Sequence, residues 1–318
     1  MAVYSPITEK ELLTFLKQYD IGSLIKFEGI LEGIENTNYK ITTSQNIYIL
    51  TIFEKRVKLE DLPFFINLKN HLVEKNFFCP KPIANKQGLT ICTLNGKKCV
   101  LISYLKGSKA DKVFDHHCEQ VGNVLSSLHQ NTADFKEKRV NGMNYIQWQN
   151  IFLKCQSANN SKYINLINFI REELEFLKIK WPNNLPKGII HADVFQDNVF
   201  FINNQFSGLI DFYFACNDFL AYDIALTINA WCFDNQNNFV QQRFKSFIKG
   251  YEDNRLLTNQ EKSSLSILLR GAAIRILLTR LHDKLFHPKG AFVEPKDPQE
   301  YVKILQFHQD INMEDYLS

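Results

Sequence analysis

The chain has 318 residues, 45% of them apolar and 26 of them Phe. That is material for a large core, in a length beyond the ~250–300 residues at which one core stops growing, so two lobes are predicted. A formal net charge of +3 gives no electrostatic case for nucleic acid or an anionic membrane as partner. No run near 18 uncharged apolar residues suggests a membrane span. The N-terminal segment lacks the basic-then-apolar order of a signal peptide. The seven Cys include no Cys-x-x-Cys pair, which argues against a zinc site or a disulfide framework and for a reducing, cytoplasmic setting.

Thr8 and Glu11 form a capping box that opens a helix. Its apolar stripe runs through Leu12, Leu13, Phe15, Leu16 and Tyr19, and Gly22 ends it. Strand patterns follow at 24–27, 39–42 and 47–53. The intervening 29–39 reads as a loop in which Gly29 and Gly33 allow close approach, and Asn36, Thr37 and Asn38 add donors of the kind that cradle nucleotide phosphates. A plain hairpin is the alternative. Residues 62–74 read as a helix. Strands at 90–94 and 99–104 flank Asn95-Gly96, a strong hairpin signal. Ser103, Tyr104 and Leu105 then lead through Lys106-Gly107 into helices, which are predicted over 116–128, 163–177, 241–251, 260–286 and 301–309. Residues 142–152 carry Trp148 in a mixed pattern with no single period. His116, His117 and His129 do not form a convincing metal set.

Between 187 and 231 the polar residues stand where short buried strands end. Ile189-Ile190, Val199–Ile202 and Leu209-Ile210 are the apolar runs, and Asn203-Asn204 is the turn between two of them. The polar skeleton is His191-x-Asp193-x-x-x-Asp197-Asn198, then Asp211. Asp193 suits a general base. Asn198 and Asp211 offer oxygen to a hard cation, and Mg²⁺ favours one or two carboxylates plus phosphate oxygens and water. Protein kinases use this layout. Further on, Asp218 suits a helix N-cap, and Asp223 a buried acid tied to donors. Asn229 and Trp231 on the same helix are candidates to reach a substrate pocket. Arg275, amid Ala272, Ala273, Ile274, Ile276, Leu277 and Leu278, needs an anionic partner: a substrate carboxylate or an internal Asp or Glu. Arg280 is the next candidate.

His191-Ala192-Asp193 with Asn198 and Ile210-Asp211-Phe212 resembles the aminoglycoside phosphotransferase-like branch of the kinase fold, which has H-x-D in place of H-R-D. Residues 35–39, 49–54, 191–201 and 208–231 narrow the resemblance to the homoserine kinases of that superfamily, over about residues 1–316. The resemblance implies an α+β, two-lobed protein kinase-like fold. Residues 1–105 would form an antiparallel sheet lobe that binds nucleotide, and 106–318 a mainly helical lobe for catalysis and substrate. It implies ATP and Mg²⁺ as cofactors and L-homoserine as the alcohol phosphorylated, a step of threonine biosynthesis. Asp193 would be the base, His191 would order its loop, and Asn198 and Asp211 would hold the metal. Ser103, Tyr104 and Leu105 would read the adenine edge. Asp218 would meet the acceptor's ammonium, and Arg275 or Arg280 its carboxylate. One departure stands out: the strand lysine that grips phosphates in kinases is Thr51 here, with Lys55 or Arg56 as possible substitutes and Phe64-Phe65 where a partner Glu would fall. Two alternatives remain. One is a kinase for another small alcohol, such as an aminoglycoside, choline, ethanolamine or methylthioribose. The other is a nucleotide-binding pseudokinase.

Overall fold

The computed structural model describes residues 5–30, 36–54, 57–287 and 294–316. The chain forms two compact units. The first is Met1–Gly107 with Phe135–Glu137 and Ser207–Tyr213; the second is Ser108–Asp134, Lys138–Phe206 and Phe214–Ser318.

Five antiparallel strands build the first unit: β1 (Leu24–Ile30), β2 (Thr37–Thr43), β3 (Ile47–Ile52), β4 (Ile91–Leu94) and β5 (Lys97–Ser103), ordered β1-β2-β3-β5-β4. Alternation sets the faces. Thr37, Tyr39, Ile41 and Thr43 of β2 turn inward and their neighbours do not, the period-2 pattern of a half-buried strand. The β4–β5 turn is Asn95-Gly96, both at positive φ (50° and 79°), as a type I′ hairpin requires. Helix α1 (Glu9–Leu16) starts on the Thr8–Glu11 capping box. It lays Leu12, Phe15 and Leu16 into one cluster with Tyr39, Ile41, Leu50 and Leu101. Helix α2 (Leu62–Glu74) has Pro in its first turn, where no N–H is needed.

The second unit is mainly helical: α3 (Asp115–Asn131), α4 (Tyr145–Ser157), α5 (Ile164–Lys180), α6 (Leu220–Trp231), α7 (Gln241–Glu252), α8 (Asn259–Leu285) and α9 (Gln299–Asp310). The chain's other strands are short. β6 (Lys187–Ile190) pairs antiparallel with β9 (Cys216–Phe219). β7 (Val199–Ile202) and β8 (Gln205–Leu209) form a hairpin whose turn places Asn203 and Asn204 at φ 51° and 61°. Helix α6 is buried nearly all round, which accounts for its unbroken apolar sequence. Helices α3 and α7 cross where each lacks a side chain. A Cβ on Gly122 would lie 2.1 Å from the Phe247 carbonyl oxygen, and one on Gly250 1.9 Å from that of Glu119. No helix among the described residues is long and apolar enough to cross a membrane.

Three local expectations are revised. The mixed stretch 142–152 belongs to a helix, α4, capped by Asn144, whose side chain accepts from the Gln147 N–H. Asp218 is not the cap of α6. It lies in β9 opposite Gly188, and Phe219 is the N-cap residue. The loop expected over 29–39 is shorter, since β1 keeps Gly29 and Ile30 and β2 begins at Thr37. Gly33, Lys55 and Arg56 lie outside the described residues.

Candidate active site

β6 ends at Ile190 and delivers His191, whose side chain is fully buried. The next residue, Ala192, has φ +62°, a left-handed conformation disfavoured for a residue with a Cβ. A single side chain from α6 compensates. The Asp223 carboxylate accepts the N–H groups of His191 (2.7 Å) and Ala192 (2.8 Å). It also meets His129 Nε2 at 3.2 Å, and His129 Nδ1 contacts the Tyr251 hydroxyl at 2.8 Å. Burial pushes the Asp223 carboxyl upward, but the hydrogen bonds and charges of His129 and His191 together outweigh it and hold the group below the usual carboxylate range. Asp223 thus has the structural role its sequence context suggested, and it fixes the backbone that carries Asp193.

Asp193 is half-buried at the loop's tip. Its carbonyl accepts the Phe195 N–H, and the Phe195 carbonyl accepts the Asn198 N–H (2.8 and 2.9 Å). This tight 3₁₀ turn brings the Asn198 amide back onto Asp193. Its Nδ2 donates to the Asp193 carboxylate (Oδ2, 2.8 Å) and carbonyl (2.9 Å). One carboxylate oxygen is thereby oriented, and Asn198 Oδ1 remains as an oxygen donor. Asp197 turns outward and pairs with Lys109 (2.8 Å) and Lys296 (3.6 Å).

Asp211 belongs to the first unit and has φ +63°. A residue not singled out from the sequence accompanies it: Lys69 of α2, only 3% exposed. Burial pushes its ammonium down to about 8, opposed by the charges of Cys79 and Asp211. The ammonium lies 5.4 Å from the Tyr213 ring centre. The helical period of 62–74 held the signal, because Lys69 falls on the face of Phe65 and Leu72. Thr51, in the strand position kinases give to lysine, donates to Asn38 Oδ1 at 2.7 Å.

Several expected contacts have other uses. Asn36 Oδ1 accepts the Glu54 N–H, and Thr37 donates to the Glu54 carboxylate at 2.8 Å. Lys97 and Ser5 also bind that carboxylate. The Asn36 and Asn38 amide oxygens and the Thr37 hydroxyl therefore knit the sheet together. The Ser103 and Tyr104 N–H groups go to the carbonyls of Lys81 and Ile47, while Leu105 packs on Gly208. Asn229 and Trp231, expected to face the acceptor, are inside. Asn229 donates to the Leu269 carbonyl and accepts from His308 Nε2 (3.0 and 2.7 Å). Trp231 Nε1 donates to the Val194 carbonyl (2.8 Å) and so braces the catalytic loop from behind. Arg280 is committed to Glu300 and the Asp297 carbonyl. Asp218 Oδ2 accepts from Asn141 at 2.6 Å and its Oδ1 from the Phe219 N–H at 2.8 Å. Arg275 is 2% exposed, and its Nη1 has no hydrogen-bond partner among the described residues.

A buried histidine, a half-buried aspartate held by an asparagine five residues on, and a second aspartate after a hairpin are the parts list of a phosphoryl-transfer site. The phosphotransferase enzyme family matches residues 26–257, and the chain belongs to that family. Its relatives narrow this. The chain is 45% identical over 311 residues to a protein named homoserine kinase from Afipia carboxidovorans, covering 98% of this chain and 95% of the relative. It is 44% identical over 317 residues to one of the same name from Agrobacterium fabrum, covering 99% and 98%. Among solved structures, a spectinomycin phosphotransferase complexed with ADP and spectinomycin superposes with a TM-score of 0.70 at 15% identity, over 98% of each chain. A choline kinase from Cryptosporidium parvum gives 0.70 at 16%, over 95% of each. These two share the fold.

Proposed function

We propose that the protein transfers the γ-phosphoryl group of ATP to the hydroxyl of L-homoserine, giving O-phospho-L-homoserine and ADP. Near-full-length identity to proteins named homoserine kinase supports the acceptor. The observation that carries the chemistry is the clamp of Asn198 on Asp193. Phosphoryl transfer needs positioning and charge neutralisation more than covalent help from the protein. Asp193 orients the acceptor hydroxyl and takes its proton as the oxygen–phosphorus bond forms and the bond to the leaving ADP breaks. Asn198 fixes the carboxylate through its N–H and, with Asp211, would hold Mg²⁺ through oxygen. This donor set suits a hard ion that keeps water and phosphate in its remaining positions. When bound, the ion would offset the negative charge of the phosphates.

In this reading residues 1–105 hold the nucleotide, with Leu105 at the adenine edge, and 106–318 hold the acceptor. Lys69 supplies the fixed cation that Thr51 cannot, which weakens the one argument for a pseudokinase. Free, buried cysteines throughout support a reducing, cytoplasmic location. The test is ADP release with MgATP and L-homoserine, serine, choline or an aminoglycoside as acceptor. Homoserine should be preferred; turnover with another of the panel alone would reassign the acceptor, and none with any would favour the pseudokinase.

A further inference from the structure

Helix α8 carries three arginines. Arg270 forms a two-point bond with Glu173 (2.7 and 2.6 Å), and Arg280 pairs with Glu300. Arg275 lies between them among Ala272, Ile274 and Leu278, as deeply buried as they are, yet no carboxylate pairs with it among the described residues. A buried guanidinium with an unsatisfied N–H is costly unless an anion completes it. The Tyr222 hydroxyl, on the helix α6 that packs against α8, is also buried with no hydrogen bond of good geometry among the described residues. Burial drives its pKa up, the charge and weak hydrogen bonding of Arg275 oppose the rise, and Asp218 adds to it. The Arg275 guanidinium also lies 5.4 Å over the Phe214 ring centre. Tyr222 and Asp218 also line a cavity of about 240 Å³ walled by Tyr145, Trp148 and Trp181.

On α6 Tyr222 precedes Asp223, whose carboxylate accepts the His191 and Ala192 N–H groups just ahead of Asp193, and the Tyr222 ring meets Trp148 and Trp181 of the cavity wall. Gly271, one turn before Arg275 on α8, abuts the same two tryptophans. The helix that carries Arg275 thus backs the cavity that Tyr222 and Asp218 line.

We propose that Arg275 is the carboxylate receptor of the acceptor site, aided by the Tyr222 hydroxyl, and makes the protein selective for an alcohol that is also an α-amino acid. This rests on the acceptor reading above. A planar fork suits a carboxylate, and Asp218 with its aromatic wall suits the ammonium of the same molecule.

The test compares L-homoserine with 3-amino-1-propanol, which has the same hydroxyl and amine but no carboxylate. The wild-type protein should prefer homoserine by about 10- to 100-fold in kcat/KM, the range of a charge-assisted pair. In Arg275→Met that preference should collapse, chiefly through KM for homoserine, with a fall at least about tenfold smaller for 3-amino-1-propanol. The ratio does not depend on how much of the variant is folded. Should Arg275→Met give no soluble protein, Arg275→Lys should retain an intermediate preference, since a point charge replaces the fork. An equal fall for both alcohols in either variant would make Arg275 structural and overturn the proposal. So would a wild-type protein indifferent to the carboxylate, with the kinase reading intact. Turnover of choline or an aminoglycoside but neither amino alcohol would overturn the acceptor reading itself.

Discussion

At the scale of single residues, the proposed reaction rests on a few side chains held by definite contacts. Asp193 is held by Asn198, and its backbone by Asp223. Asp193→Asn should fold normally and lose at least ~10²-fold in turnover, the scale of a general base; ADP release beside an unchanged unfolding curve is the measurement. Lys69→Met should lower stability, because it removes the cation that opposes the charge of Asp211. It should also raise KM for ATP or lower kcat by about tenfold or more, since the fixed cation is gone. Asp223 gives a pH dependence whose sign can be worked out. Its folded carboxyl titrates below the ordinary value of 3.8, so its stabilisation is complete above that pH and is lost as pH falls through the lower folded value. Asp223→Asn should cost roughly 2–3 kcal/mol at neutral pH, the worth of hydrogen bonds to a charge. The wild-type and variant urea midpoints should converge below about pH 4. Asp193, Asn198 and Asp211 stand out in the sequence because polar residues at that spacing, set between apolar strand runs, form a pattern phosphoryl transfer uses. Lys69 was not singled out, since one lysine in an apolar helix reads as surface until the helical face is counted. Asn229 and Trp231 were misread because a polar atom on a buried helix can bond inward as readily as toward a ligand.

At the scale of elements, the sequence announced whatever depended on local chemistry. The Thr8 capping box, the Asn95-Gly96 turn and the helix over 62–74 needed no tertiary knowledge. α4 was missed because its apolar positions serve several neighbours and so follow no clean period. β9 was missed because Cys-Asn-Asp-Phe, with two polar residues in four, becomes a strand only through pairing with β6. The α3–α7 crossing was invisible for a similar reason: Gly122 lies in mid-helix and Gly250 in the last turn of α7, where glycine is unfavourable, and only the partner explains them. Gly250→Ala should improve helix propensity yet destabilise the protein by about 1–3 kcal/mol, since its methyl meets backbone that cannot yield. A lowered thermal midpoint would show it.

For the whole molecule, the chain divides into two compact units, an antiparallel sheet in one and mainly helices in the other. The interruptions were not foreseen, since residues 135–137 and 207–213 join the first unit from far along the chain. Such long-range membership leaves no compositional trace. MgATP at 100 times its Kd should stabilise the protein by about 2.7 kcal/mol through mass action alone, and a thermal midpoint unmoved by nucleotide would contradict nucleotide binding.

The seven cysteines are all buried and free, and burial pushes the thiols of Cys79, Cys99, Cys155 and Cys216 up to about 12. Alkylating reagents need a thiolate in reach, so at neutral pH they should modify the closed protein very slowly. Cys79, Cys92 and Cys99 belong to one unit, and Cys118, Cys155, Cys216 and Cys232 to the other. Mass spectrometry of the order in which they are labelled would turn the wild-type chain into its own stopwatch, timing the breathing of each half without an added probe.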